Sequence, residues 1–265
     1  MKKTDFTVEY HGCQAMVEGY LLNPDFNGEP RPAAPAVLIC PGGAYCFVSD
    51  REGEPIARRF NAVGMNAFVL HYTVAPGARF PTALVQAAKA MTEIRHHAKE
   101  WNILADKIAV CGFSAGGHLA ASLGVLWNAP VVCEALAAGE NARPDAQILC
   151  YPVITSGEFA HEGSFINLLG EGYSEETAKS VSLEKLVSSD TPPAFLWHTV
   201  TDDVVPVENS MLYAAALRRA EIPFEMHLYE RGSHGLSLCE DVTGMALPDC
   251  AGWFDLAAQF LRRLS

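Results

Sequence analysis

The chain has 265 residues, 49% hydrophobic and 19% charged, which excludes a disordered polymer and is enough for one sizeable core, expected as a single α/β domain over residues 1–265. Nineteen basic against 31 acidic side chains give a formal charge of −12, a surface that repels phosphate backbones and excludes nucleic acid as a general partner. No apolar run approaches the roughly 18 residues of a membrane helix, and Met1-Lys2-Lys3 has no apolar stretch behind it, so the expected setting is cytoplasmic, with no membrane partner.

Residues 6–22 place apolar side chains at Phe6, Val8, Met16, Val17 and Tyr20 and are expected to hold a hairpin. The Pro-rich stretch 30–35 reads as a connection. Strands are then predicted at 36–40, 67–72, 107–111, 146–151, 194–198 and 224–229, alternating with helices at 54–63, 82–100, 115–127, 208–220 and 251–264. The strands are almost continuously apolar, as they are when both faces are covered. The alternation predicts a mostly parallel central sheet with helices on both faces. Residues 156–189, polar but carrying Phe159, Phe165 and Leu168-Leu169, are the candidate for a small cover, so the expected cap is minimal. Trp101, Trp127 and Trp253 read as core, and acidic residues outside the motifs below as solvated surface.

The eight cysteines include no C-x-x-C pair, which points to reduced, mostly buried thiols. The nine histidines form no H-E-x-x-H spacing, so metal catalysis is not expected. No apolar stripe is distinctive enough to specify a homo-oligomer.

In sheets of this kind ligands gather at the carboxyl ends of the strands. After 107–111 comes Gly112-Phe113-Ser114-Ala115-Gly116, a G-x-S-x-G run between a strand and an alanine-rich helix. A serine in so tight a turn is strained and exposed, and side chains at Gly112 or Gly116 would collide as strand and helix close. After 194–198 come Asp202 and Asp203. The hydrolase pattern H-G-x-x-D-x-x-V-P, counted from His198 or back from Val205, selects Asp202 as the acid, and leaves Asp203 as the alternative or as a cap for the next helix. After 224–229 comes His234 between Ser233 and Gly235, placed to reach the serine. Ser114, Asp202 and His234 follow the nucleophile–acid–base order of α/β-hydrolases. His118, on the helix after Ser114, faces the wrong way to be the base, and His198 is expected to pack under the acid loop.

After 36–40, Pro41-Gly42-Gly43-Ala44-Tyr45 occupies the place of an oxyanion loop. Gly43 or Ala44 is the expected donor there, with the amide of Ala115 beyond the nucleophile. Tyr45 and Phe47 follow, either as pocket lining or as packing.

The chain resembles bacterial α/β-hydrolase acetyl esterases and acetylxylan esterases. The resemblance rests on Pro41–Tyr45, His71–Pro81 (HYTVAPGARFP), Trp101–Leu123 (WNILADKIAVCGFSAGGHLAASL), Leu149–Thr155 (LCYPVIT), Pro192–Ser210 (PPAFLWHTVTDDVVPVENS) and Phe224–Leu238 (FEMHLYERGSHGLSL). It implies the α/β-hydrolase fold, with nucleophile, acid and base on Ser114, Asp202 and His234 and oxyanion donors near Gly43, Ala44 and Ala115. It also implies a short acyl group, acetyl foremost, on a sugar or xylo-oligosaccharide, and no cofactor. Four positions depart from the family pattern: Pro41 for a leading histidine, Ala44 for a third glycine, Thr73 where arginine is expected and Gln86 where aspartate is common. The rival readings are an amide-directed hydrolase using the same three residues and a catalytically silent binding protein on the same fold.

Overall fold

The computed structural model describes residues 2–263. The expected hairpin is β1 (Lys2–Tyr10) and β2 (Cys13–Leu21), turning at His11 and Gly12, both with positive φ. The remaining sheet strands are β3 (Ala34–Cys40), β4 (Asn66–His71), β5 (Ile103–Phe113), β6 (Ala146–Cys150), β7 (Ala194–Thr199) and β8 (Phe224–Tyr229). They stand in the order β1-β2-β4-β3-β5-β6-β7-β8. Within this sheet β2 pairs antiparallel with β1 and β4 and the remaining pairings are parallel; a separate two-stranded ribbon pairs Asp25–Phe26 antiparallel with Glu29–Pro30. The chain enters the parallel part at β3, moves out to β4 and returns to the other side of β3 as β5. The loops leaving β3 and β5 therefore diverge at the switch point where such sheets bind ligands.

Side chains alternate along the strands into two cores. Leu38, Val110, Leu149 and Leu196 face α2 (Thr82–His96), α3 (Ala115–Leu126) and α6 (Glu208–Arg219). Ile39, Cys111, Ile148 and Trp197 face α1 (Glu54–Ala62) and α7 (Trp253–Arg263). Each fully buried Leu or Ile contributes about 1.5–3 kcal/mol relative to exposure, so a strand apolar on both faces can be held only between helical layers. Between α3 and α6, the cover segment carries two short helices, α4 (Glu162–Leu169) and α5 (Glu175–Lys179), of 8 and 5 residues, each too short to show a helical period.

Some boundaries differ from the sequence reading. α2 stops at His96, because the chain must turn through Asn102 (φ 56°) to enter β5. α7 starts at Trp253, after a separate turn at Pro248–Ala251; the predicted end at Leu264 lies outside the described residues. Trp101 and Trp127 are only partly buried. The fully buried pair is Trp253 and Trp197, stacked 5.2 Å apart.

Two departures from the family pattern meet each other. Gln86 Oε1 accepts the Thr73 N–H at 2.9 Å, and its Nε2 donates to Thr73 Oγ1 at 2.7 Å and to Cys13 O at 3.0 Å. A neutral pair thus ties α2 to the loop after β4 and to β2. Gln86 is fully buried, so truncation removes three hydrogen bonds at once, although Thr73 Oγ1 keeps the Gln14 carbonyl as an acceptor at 3.2 Å. Gln86→Ala is expected to lower unfolding stability by about 1–3 kcal/mol, read from urea melts with an unchanged m-value.

Candidate active site

The junction of β5 and α3 is sterically tight. A Cβ on Gly112 would lie 2.1 Å from Gly116 O, and one on Gly116 would lie 2.1 Å from Cys40 O. With hydrogen at both positions the helix descends onto the sheet, and Ser114 between them takes φ 54°, ψ −120°. Such a conformation costs of order 1–3 kcal/mol in a non-glycine residue. Both backbone groups of Ser114 are held, N–H to Cys150 O and C=O from Val153 N, each at 3.0 Å. The side chain keeps a small opening, the residue being 8% exposed.

His234 Nε2 lies 2.7 Å from Ser114 Oγ, and His234 Nδ1 lies 2.7 Å from Asp202 Oδ2. Asp202 Oδ1 accepts the N–H groups of Val204 (3.0 Å) and Val205 (2.9 Å). His198 also packs under this loop: its Nε2 is 3.2 Å from Asp202 Oδ2 and 3.0 Å from Val205 O, and its Nδ1 is 2.8 Å from Ser210 Oγ. The loops carrying Asp202 and His234 are tied together, Thr199 Oγ1 and Thr201 Oγ1 both donating to Gly232 O. Asp203 is exposed and does not cap α6, whose N-cap is Val207 without a side-chain cap bond; the loop turns Asp202 inward and its neighbour out.

Burial alone would raise the Asp202 pKa, but the hydrogen bonds from His198 and His234, the charge of His234 and the Val205 amide outweigh it and hold the carboxyl well below the usual range.

The loop after β3 runs beside the serine. A Cβ on Gly42 would fall 3.1 Å from Ser114 Cβ. Gly43 has φ 130°, and Ala44 and Tyr45 are in the left-handed region at 52° and 59°. Gly43 O accepts from Cys46 N and Phe47 N, and Ala44 O accepts from Asn167 Nδ2 at 2.9 Å. Helix α4 thereby fixes the position where the family has glycine. Ala115 opens α3, so its N–H has no intrahelical acceptor.

Tyr45 is packing rather than open lining: its ring is buried and its hydroxyl bonds His118 Nδ1 at 2.8 Å. His118 Nε2 donates to Val181 O at 2.9 Å, and burial lowers its pKa to about 4. Phe47 is 58% exposed at the rim.

Three residues near the site gave no sequence signal. Asn167 is one. His161, half-buried ahead of α4, bonds Ser164 Oγ through Nδ1; burial lowers its pKa, and the charge of His234 lowers it further. Glu52 corrects the reading of the remaining acids as solvated: it is 3% exposed, accepting from Gly42 N at 2.8 Å and from Tyr151 Oη at 2.7 Å. A cavity of about 270 Å³, lined by Asp106, Lys107, Arg143 and Asp145 among others, lies at the opposite ends of the strands. Among the described residues no group of three or more His, Cys, Asp and Glu side chains could hold a metal ion, and no helix is long and apolar enough to cross a membrane.

The strand order and the strained serine at a strand-to-helix turn define an α/β hydrolase. The chain belongs to the BD-FAE family, whose model matches residues 26–217. It is 41% identical over 225 residues to endo-1,4-beta-xylanase B of Butyrivibrio fibrisolvens, covering 84% of this chain and 34% of that protein. It is 33% identical over 211 residues to acetylxylan esterase of Xylanibacter ruminicola, covering 77% and 41% respectively. The chain thus spans well under half the length of these two relatives. The crystal structure of an acetyl ester-xyloside bifunctional hydrolase from Caldicellulosiruptor lactoaceticus superposes with a TM-score of 0.82 at 38% identity, covering 94% of this chain and 87% of that one.

The Asp202 environment sets a stability profile. Its folded-state pKa lies below the unfolded value of about 4. The contribution is therefore present above that pH and lost as pH falls towards the folded value. Denaturant melts from pH 6 to 2.5 are expected to show wild-type stability falling more steeply below about pH 4 than that of Asp202→Asn.

Proposed function

We propose that this chain is a serine carboxylic-ester hydrolase that removes short acyl groups, acetyl foremost, from sugars or xylo-oligosaccharides through an acyl-enzyme. The observation that carries this reading is the hydrogen-bonded line from Ser114 Oγ through His234 to Asp202, at the switch point of the sheet.

Asp202 Oδ2 takes the His234 Nδ1–H, which leaves Nε2 free to accept the Ser114 proton. Ser114 Oγ then attacks the ester carbonyl, whose oxygen gathers negative charge. Amides from Gly43 or Ala44 and from Ala115 receive that charge, with the N-terminal end of α3 adding its dipole. Each donor is worth about 3–4 kcal/mol of barrier. The protonated His234 gives its proton to the departing alcohol, and the acyl group remains on Ser114. Water, losing its proton to His234, releases the acid and restores the serine. Every proton is moved by side chains of the chain itself.

The short acyl group is supported by the cover, which Asn167 binds directly to Ala44 of the oxyanion loop. The carbohydrate side is supported by the names of the relatives, an acetylxylan esterase and an acetyl ester-xyloside hydrolase.

Wild-type protein is expected to deacetylate acetylated xylo-oligosaccharides, and Ser114→Ala to lose at least about a thousandfold in kcat. On 4-nitrophenyl esters kcat/KM is expected to fall as the acyl chain lengthens beyond acetate. Equal rates from the Ser114→Ala variant would remove the nucleophile from the account. Faster turnover of an anilide or formyl amide than of any ester would move the activity to amide hydrolysis.

A further inference from the structure

Glu52 is a buried carboxylate that the proposed chemistry leaves unused. It ends a single turn, Asp50–Glu52, and touches two loops at once. Oε2 accepts the Gly42 N–H at 2.8 Å, at the root of the oxyanion loop. Oε1 accepts the Tyr151 O–H at 2.7 Å, just past the end of β6. The Tyr151 oxygen in turn accepts the Ser237 N–H at 2.8 Å, three residues beyond His234. Ser237 Oγ closes the circuit by donating to Arg51 O at 2.6 Å. The ring of Tyr151 meets the imidazole of His234 edge to face, centroids 5.1 Å apart.

The circuit is tight where it passes the serine. A Cβ on Gly42 would lie 2.8 Å from Glu52 Oε2 and 3.1 Å from Ser114 Cβ. The hydrogen bonds from Gly42 N and Tyr151 Oη compensate the buried carboxylate. Burial and the nearby Glu52 charge both push the Tyr151 pKa well up, which keeps the phenol protonated as a donor.

We infer that Glu52 is a positioning residue: through Gly42 on one side and Tyr151–Ser237 on the other it sets the register between the oxyanion amides and His234. The inference rests on the serine-esterase reading above. Ground-state binding of a small ester needs little of that register. The transition state needs both at once, donors at the oxyanion and imidazole at the proton. Loss of Glu52 therefore acts on kcat more than on KM.

The experiment compares Glu52→Ala, Glu52→Gln and Tyr151→Phe with wild type and Ser114→Ala, measuring kcat and KM on 4-nitrophenyl acetate and far-UV circular dichroism of each. In Glu52→Ala kcat is expected to fall about 10- to 100-fold, with KM within about threefold of wild type. Glutamine can accept from Gly42 and donate to the Tyr151 oxygen, so Glu52→Gln is expected to recover at least about half of that loss on a logarithmic scale. Tyr151→Phe keeps the Gly42 bond and frees Ser237, and is expected to lose about 3- to 10-fold in kcat. A folded Glu52→Ala with kcat within about twofold of wild type overturns the inference, as does a loss carried by KM alone or not relieved by glutamine. Should Glu52→Ala fail to fold, a folded Tyr151→Phe with wild-type kcat overturns it instead. An inactive Ser114→Ala beside a fully active Glu52→Ala removes this inference alone, whereas an active Ser114→Ala removes the esterase reading beneath it.

Discussion

The closeness of α3 to β5 is the constraint on which the site depends. Gly112 and Gly116 have no room for a single carbon more, and the helix sits low enough that the chain must reverse within one residue. That residue is Ser114, held in a strained conformation at the rim by Cys150 and Val153. Parallel pairing then does the rest of the assembly. Because β3, β5, β6, β7 and β8 run the same way, the loops that follow them open on one edge. Asp202 and His234 reach Ser114 from loops that are far off in sequence and adjacent in space.

Much of this is legible in the amino-acid sequence. The inner strands β3 to β7 are legible because burial on both faces leaves no room for polar alternation, whereas β8 at the sheet edge is only partly buried and carries Glu225 and His227. The tight turn at Ser114 is legible because its glycines are a steric requirement written at fixed spacing. Counting from His198 and from Val205 separated Asp202 from Asp203, and the loop geometry explains why: Oδ1 of Asp202 is spent on Val204 and Val205, which aims Oδ2 at His234. What was illegible depends on distant partners. Glu52 sits in a polar stretch, Ser49-Asp50-Arg51-Glu52, that reads like any surface turn. Its burial follows from Tyr151, which local composition does not reveal. Asn167 is hidden for the same reason, since its partner is the carbonyl of Ala44. Tyr45 offered packing or lining from sequence, and only the His118 contact distinguishes them.

The surroundings of the site are held largely by neutral hydrogen bonds. Tyr45, His118 and the Val181 carbonyl link the loop after β3, α3 and the cover. The Gln86–Thr73 pair braces the loop after β4 where the family pattern carries charge. Neutral pairs avoid the desolvation cost of buried ions and hold their geometry with little dependence on salt. Against that background Asp202 and Glu52 stand out as buried acids, one hydrogen-bonded to the imidazole and the other beneath the loops that flank it. The two are not interchangeable: Asp202 is met by histidines, Glu52 by an amide and a phenol.

The most direct measurement is capture of the covalent intermediate: brief exposure to 4-nitrophenyl acetate, acid quench and peptide mass spectrometry. The account requires an acetyl adduct on the peptide bearing Ser114, absent from the alanine variant. Steady hydrolysis of the ester with that serine unmodified, and the adduct on another side chain or nowhere, would contradict it.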